Sequence, residues 1–288
     1  NLFYLSMFRW CYTVISQTLQ KFVDNPRSII PFLKKHCYYR FIADGMIPKY
    51  QDIHFLDYSA TLDYIIQNRV SLIRFGDEIF DMIQGLGLYF NDWHQKYSPS
   101  LRNALNTILT EQSDNILLSF NPELILLSKK DFQKQGIGNQ WQFWINSKIF
   151  LRQFLDSHRV YGSALLFHLR YNPNLDFEKL ATYFSSKHII IIVHDAHRFQ
   201  GIELGRSTDF IEAPQSDAWD HYSEMKQGVF AIIEKNGYQK NDVLVLGSAS
   251  SATKVLAWDL SVHHDIVSWD TGQFFDLAAT KIRELNRD

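Results

Sequence analysis

Four consecutive isoleucines and a valine, Ile189 to Val193, leave no polar side for water. Successive side chains of a strand point to opposite faces, so such a run must be buried on both, as in the interior of a parallel sheet covered by helices. The rest of the chain agrees. After residue 55, short β-branched apolar runs alternate with longer segments of helical period, the pattern of parallel strands joined by crossover helices. Strands are expected at 70–75, 115–120, 188–194, 209–213, 242–246 and 265–269. Helices are expected at 59–67, 77–84, 98–111, 141–157, 217–235, 250–260 and 273–285, with Ser98 as a cap and Pro99 in the first turn of its helix. The fold class is therefore α/β, a mostly parallel sheet flanked by helices. Two further helices, at 2–23 and 27–42, are expected before it, the second opened by Asn25 and Pro26. This divides the chain into an N-terminal helical extension, 1–55, and an α/β domain, 56–288.

With 288 residues, 46% of them hydrophobic, the chain can bury a large core. A net charge of -2 argues against a nucleic-acid partner, which needs a basic footprint. Cys11 and Cys37 show neither disulfide nor metal spacing and read as reduced thiols of a cytoplasmic protein. Residues 1–23 are aromatic and aliphatic, yet Arg9, Gln17, Gln20 and Lys21 interrupt them, so they read as an amphipathic helix and not a span. Such a helix packs on its own domain, on another subunit, or at the inner face of the membrane as a peripheral contact. Its apolar surface favours a homo-oligomer.

Ligands of open α/β sheets bind beyond the carboxyl ends of the strands, so those junctions hold the candidate residues. In SLIRFGDEIFDMIQG, a strand ends at Arg74, turns at Gly76 and starts a helix with Asp77 and Glu78. Carboxylates there could hold a divalent cation on a diphosphate, or could simply complement the helix dipole. After the isoleucines come His194, Asp195, His197 and Arg198, of which Arg198 suits bidentate phosphate contact. In VLVLGSASSATKVLAWDLS, Ser248, Ser250, Ser251 and Thr253 at a helix start could cradle a phosphate, or could be small for close packing. The last strand ends at Asp270 and Gly272, with Asp276 beyond, where a carboxylate could act as general base or cap a helix. The serine turn is neither a Walker loop nor a GxGxxG fingerprint, which weakens a different Rossmann-like enzyme such as a methyltransferase, and without a GxSxG elbow there is no reason to propose a hydrolase.

In order and spacing, the segments TLDYIIQNRVSLIRFGD, NILLSFNPEL, DFIEAPQSDAWDHY, LGSASSATKVLAWDLS and WDTG resemble the GT-D glycosyltransferases of bacterial adhesin and surface-polysaccharide glycosylation. The resemblance implies a Rossmann-like GT-D fold. It also implies transfer of a hexose, typically glucose, from a UDP-sugar to a hydroxyl of a glycan acceptor, assisted by Mn²⁺ or Mg²⁺. By it, Asp77 and Glu78 would face the metal, and Arg74, Gly76, Arg198, Ser248, Ser251, Thr253 and Asp270 the donor. Asp77 and Asp276 would serve catalysis. The family pattern RFGDGE reads RFGDEI here, with Glu78 at the glycine and Ile79 at the glutamate, and Asp276 is offset from the family's proposed base. A degenerate, non-catalytic partner or scaffold is the competing expectation.

Overall fold

The structure, a computed structural model, describes residues 19–89, 93–111, 113–199 and 201–275. Its strands are β1 (His54–Phe55), β2 (Ser71–Arg74), β3 (Leu88–Tyr89), β4 (His94–Gln95), β5 (Ile116–Phe120), β6 (Val160–Ser163), β7 (His188–Val193), β8 (Ser207–Glu212), β9 (Val243–Gly247) and β10 (Val267–Asp270). Eight of them form one sheet in the order β1-β6-β5-β2-β10-β9-β7-β8, while β3 and β4 form a separate antiparallel pair. Every pairing in the large sheet is parallel, so the α/β class is as expected.

The isoleucine run behaves as its composition demands. Ile189, Ile190, Ile191 and Ile192 are each 0% exposed. Ile189 and Ile191 join Leu244 and Leu246 of β9 in one core cluster, and Ile190 and Ile192 join Val243 and Val245 in another. The two-residue period of the strand thus feeds two apolar layers, one on each side of the sheet.

All six expected strands form, within a few residues of their expected bounds. The strands not foreseen are short. β6 reads VYGS, and a β-carbon at Gly162 would come within 2.9 Å of both Leu117 and Thr61, so the residue that weakens the strand signal is required for packing. The helix Phe177–Phe184, capped by Asp176 accepting from the Lys179 amide, was also not foreseen. The expected helix at 141–157 is instead a 3₁₀ segment Gly138–Trp144, a short α-helix Ile145–Phe150 and a 3₁₀ turn Leu151–Phe154. Within it, the Tyr50 hydroxyl donates to the carbonyls of Ser147 and Lys148, at 3.2 and 2.9 Å. The segment expected as one helix at 27–42 is likewise divided into 3₁₀, α and π turns. Asn25 occupies the cap position, but its side chain donates to the Gly85 carbonyl at 2.9 Å. Most of the expected helices at 2–23 and 273–285 lies outside the described residues.

The N-terminal segment is tied to the domain. Ala43, Tyr50 and Ile53 share a core cluster with Ile73, Phe75 and Ile79. The buried Lys35 places its Nζ 2.8 Å from Asp81, on the helix that follows β2. Among the described residues, no helix is long and apolar enough to cross a membrane.

Candidate functional site

β2 and β10 are neighbours, yet the chain leaves β2 toward β5 on one side and reaches β10 from β9 on the other. Their carboxyl ends therefore flank a topological switch point, the place where open α/β sheets leave a crevice for a ligand.

On the β2 side, Arg74 donates from Nη1 to the Ala164 carbonyl at 2.9 Å and holds Nε 3.7 Å from Oδ1 of Asp270. Its Nε is buried without a hydrogen-bond partner. Opposite it is Gly272, at φ +54°, where any β-carbon would collide with the guanidinium. Gly76 is the N-cap of the helix Asp77–Ile83, and the Glu78 carboxylate curls back over it. Asp77 is half-buried, and its carboxyl is pushed up to about 8, first by burial and then by the neighbouring Glu78 and Asp81 charges, against the pull of Lys35. Ile79 is 0% exposed in the core.

On the β9 and β10 side, the turns interlock. The Ser248 amide donates to Ile192 at 2.8 Å and its hydroxyl to the Gly272 carbonyl. Thr271 donates to the Gly247 carbonyl from its amide at 2.8 Å and from its hydroxyl at 3.0 Å. Asp270 is 1% exposed and accepts from the Gly272 amide at 3.1 Å and from Lys254 Nζ at 3.0 Å. The helix Ser250–His264 begins without a side-chain cap, and Ser250 holds the left-handed φ of +57°. The hydroxyls of Ser250 and Ser251 are buried without partners. Thr253 has a packing role: its hydroxyl donates to the Ser250 carbonyl at 2.9 Å, and a β-carbon at Gly247 would come within 2.9 Å of its side chain.

The structure thus gathers Arg74, Gly76, Asp77, Glu78, Ser248, Ser251, Thr253 and Asp270 on one edge. Arg198 is exposed in the 3₁₀ turn Ala196–Phe199 after β7, two strands away from β10 on the same edge. Asp276 lies outside the described residues. Sequence reading missed three polar groups here. Lys254 stood inside a segment read as helix, although it falls one turn after the serines, on their face. Asn121, just past β5, has a buried Oδ1 without a partner. His168 has a buried, unpartnered Nδ1, and its ring is held below its ordinary range by burial and then by the Arg74 charge.

A divalent cation takes several oxygen ligands at about 2.0–2.6 Å. Here the Asp270 and Glu78 carboxylates face Lys254, and the family's glutamate position is the buried Ile79. Among the described residues, no group of three or more His, Cys, Asp or Glu is placed to hold a metal. Among the described residues, the side chains at the switch point do not fit a metal ion.

Comparison with known proteins meets this geometry. The chain is 24% identical over 257 residues to a probable glycosyl transferase Gly of Streptococcus gordonii, covering 82% of this chain and 33% of that protein. It is also 24% identical over 257 residues to glycosyltransferase GlyD of Streptococcus pneumoniae serotype 4, covering 82% of this chain and 28% of that protein. The chain therefore spans about a third or less of the curated relatives it matches. Among solved structures, one described as the highly conserved domain of unknown function 1792 with a distinct glycosyltransferase fold superposes with TM-score 0.65 at 20% identity, covering 86% of each chain. Another, a glycosyltransferase (DUF1792) from Streptococcus sanguinis, gives TM-score 0.59 at 20% identity over 81% of this chain and 85% of that one. The sequence model described as glycosyltransferase GT-D fold matches residues 72–273, from β2 through the turn after β10, and the chain belongs to that family.

Proposed function

We propose that this chain transfers a hexose, glucose by the family resemblance, from a UDP-sugar to a hydroxyl of a growing glycan in surface-polysaccharide or glycoprotein assembly. The observation that carries the reading is the set of buried, unpartnered polar atoms at the switch point: Arg74 Nε and the hydroxyls of Ser250 and Ser251. A buried donor left unmade costs about 1–3 kcal/mol, and the anionic oxygens of a diphosphate are the acceptors such donors call for beside a helix N-terminus that favours negative charge. In this reading Gly272 makes room for Arg74, a cation for the donor, and Gly76 makes room for the Glu78 carboxylate while its backbone approaches the donor. Ser248, Thr253 and Asp270 hold the turn in shape, Asp77 faces the sugar, and Arg198 closes the far end. Asp276 is the carboxylate assigned to accept the acceptor's proton. The Mn²⁺ or Mg²⁺ of the resemblance has no fitting ligand set here, so no step is derived through it.

Exposed Val23, Ile30, Leu33 and Phe41 support contact of the N-terminal region with a second copy or with the inner face of the membrane, in a cytoplasmic protein. A second reading, a non-catalytic relative that binds the donor and docks on an active enzyme, is favoured by Ile79 at the family's glutamate position. Thermal unfolding with UDP-sugars tests donor binding. A ligand at 100 times its Kd adds about 2.7 kcal/mol and raises Tm, whereas no shift with any nucleotide sugar would remove both readings.

A further inference from the structure

A buried ammonium stands where two carboxylates at the switch point converge. Lys254 is 4% exposed, and its Nζ lies 3.0 Å from Oδ2 of Asp270 and 3.8 Å from Oε1 of Glu78. Arg74 brings a second cation to the other oxygen of Asp270. Asp270 and Glu78 therefore meet two fixed cations. The Asp270 contact engages one of the three Nζ protons, and Glu78 lies beyond hydrogen-bond range, so donors remain for a ligand.

The serines point to what that ligand is. Ser250 and Ser251 precede Lys254 by four and three residues, which places all three on one helix face. Ser251 is 1% exposed with its hydroxyl unpartnered, and Ser250 is held in left-handed backbone, a strained conformation that clusters at ligand sites. Hydroxyls, ammonium and helix N-terminus together make an anion site with its own cation.

We propose that Lys254 is the resident cation of this site, taking, with Arg74, the charge-neutralising part that a divalent ion takes in metal-assisted transfer, so that donor binding and turnover need no metal. This rests on the nucleotide-sugar reading above. In the transfer, the bond from the sugar's anomeric carbon to the diphosphate oxygen breaks, and its electron pair leaves with the nucleoside diphosphate. The anomeric carbon bonds to the acceptor oxygen, whose proton passes to a carboxylate or to water. The charge gained by the departing diphosphate is met by Lys254 and Arg74. Asp270 and Glu78 act through Lys254 as positioning residues.

Calorimetric titration of UDP, GDP, ADP and dTDP into the full chain, in EDTA and in Mn²⁺, tests this. The same affinity for one nucleotide in both buffers is the expected result. Lys254→Ala lowers that affinity in EDTA by roughly 10- to 100-fold, the worth of a hydrogen bond to a charged group, and Lys254→Arg retains part of it. Because Lys254→Ala removes one of the two cations on the buried Asp270 and could fail to fold, the wild-type comparison stands by itself. Wild-type binding that appears only with Mn²⁺ would overturn the role of Lys254 and leave the donor reading intact. Absence of nucleotide binding in either buffer would overturn both.

Discussion

The guanidinium of Arg74 rests against Gly272, whose φ of +54° and missing side chain leave it the room it occupies. The end of β2 and the turn after β10 are thereby fitted to one another across the switch point. Gly272→Ala should displace Arg74 and place an alanine in left-handed backbone, at about 1–2 kcal/mol. Urea unfolding should show that loss, and UDP-sugar affinity should fall with it. An alanine variant of unchanged stability and affinity would contradict the fit.

Asp270 and Lys254 are both nearly inaccessible, so removing one leaves the other buried with only its longer contact, to Arg74 or to Glu78. Asp270→Ala is expected to cost about 3–5 kcal/mol, the range for breaking a buried pair. The double variant Lys254→Met/Asp270→Leu should recover part of this stability, because neither member of the close pair remains, while Arg74 and Glu78 each lose a longer contact. A single variant within about 0.5 kcal/mol of wild type, the range of ordinary surface changes, would show the pair to be solvated.

Asp44 links the N-terminal segment to the domain. It accepts from the Lys129 amide at 2.7 Å, from Trp141 Nε1 at 2.9 Å and from Lys148 Nζ at 3.1 Å. Partial burial pulls its carboxyl upward, but these donors together outweigh burial and hold it below its ordinary 3.8. With the folded pKa below the unfolded one, the unfolded state takes up protons first. The contribution is complete above about pH 4 and is lost as pH falls through the folded value. Asp44→Asn should flatten the acid limb of a stability-against-pH curve below about pH 4. An unchanged limb would remove Asp44 as its source.

Arg198 is exposed, so Arg198→Ala should leave Tm nearly unchanged. If it closes the far end of the donor site, UDP-sugar affinity drops about 10-fold, the worth of one charge-assisted contact. Unchanged affinity would take it out of the site.

How much of this was legible in the sequence follows from what each signal depends on. The isoleucines of β7 announce burial by composition, and the turns at Arg74–Gly76 and Gly247–Ser251 are marked by residue types that any strand-to-helix junction displays. β1 has two residues and β6 carries Gly162 in its middle, so neither stands out, and the segment 141–157 makes contacts with Tyr50, nearly a hundred residues away, that its own sequence does not announce. Lys254 was hidden for the same reason. Its partners come from β10 and from the helix after β2, and nothing local in KVLAWDL distinguishes a buried cation from a surface lysine. The unpartnered hydroxyls of Ser250 and Ser251 are likewise visible only once the neighbours that fail to meet them are in place.

The central claim is that the switch point between β2 and β10 holds a nucleotide-sugar donor and releases its diphosphate. The most direct measurement is UDP release from a panel of UDP-sugars by the purified chain, in EDTA and in Mn²⁺, beside the Arg74→Ala variant. Release from one donor in both buffers, lost in that variant, is the predicted result. No release from any donor in either buffer, with the wild-type chain folded, would contradict it.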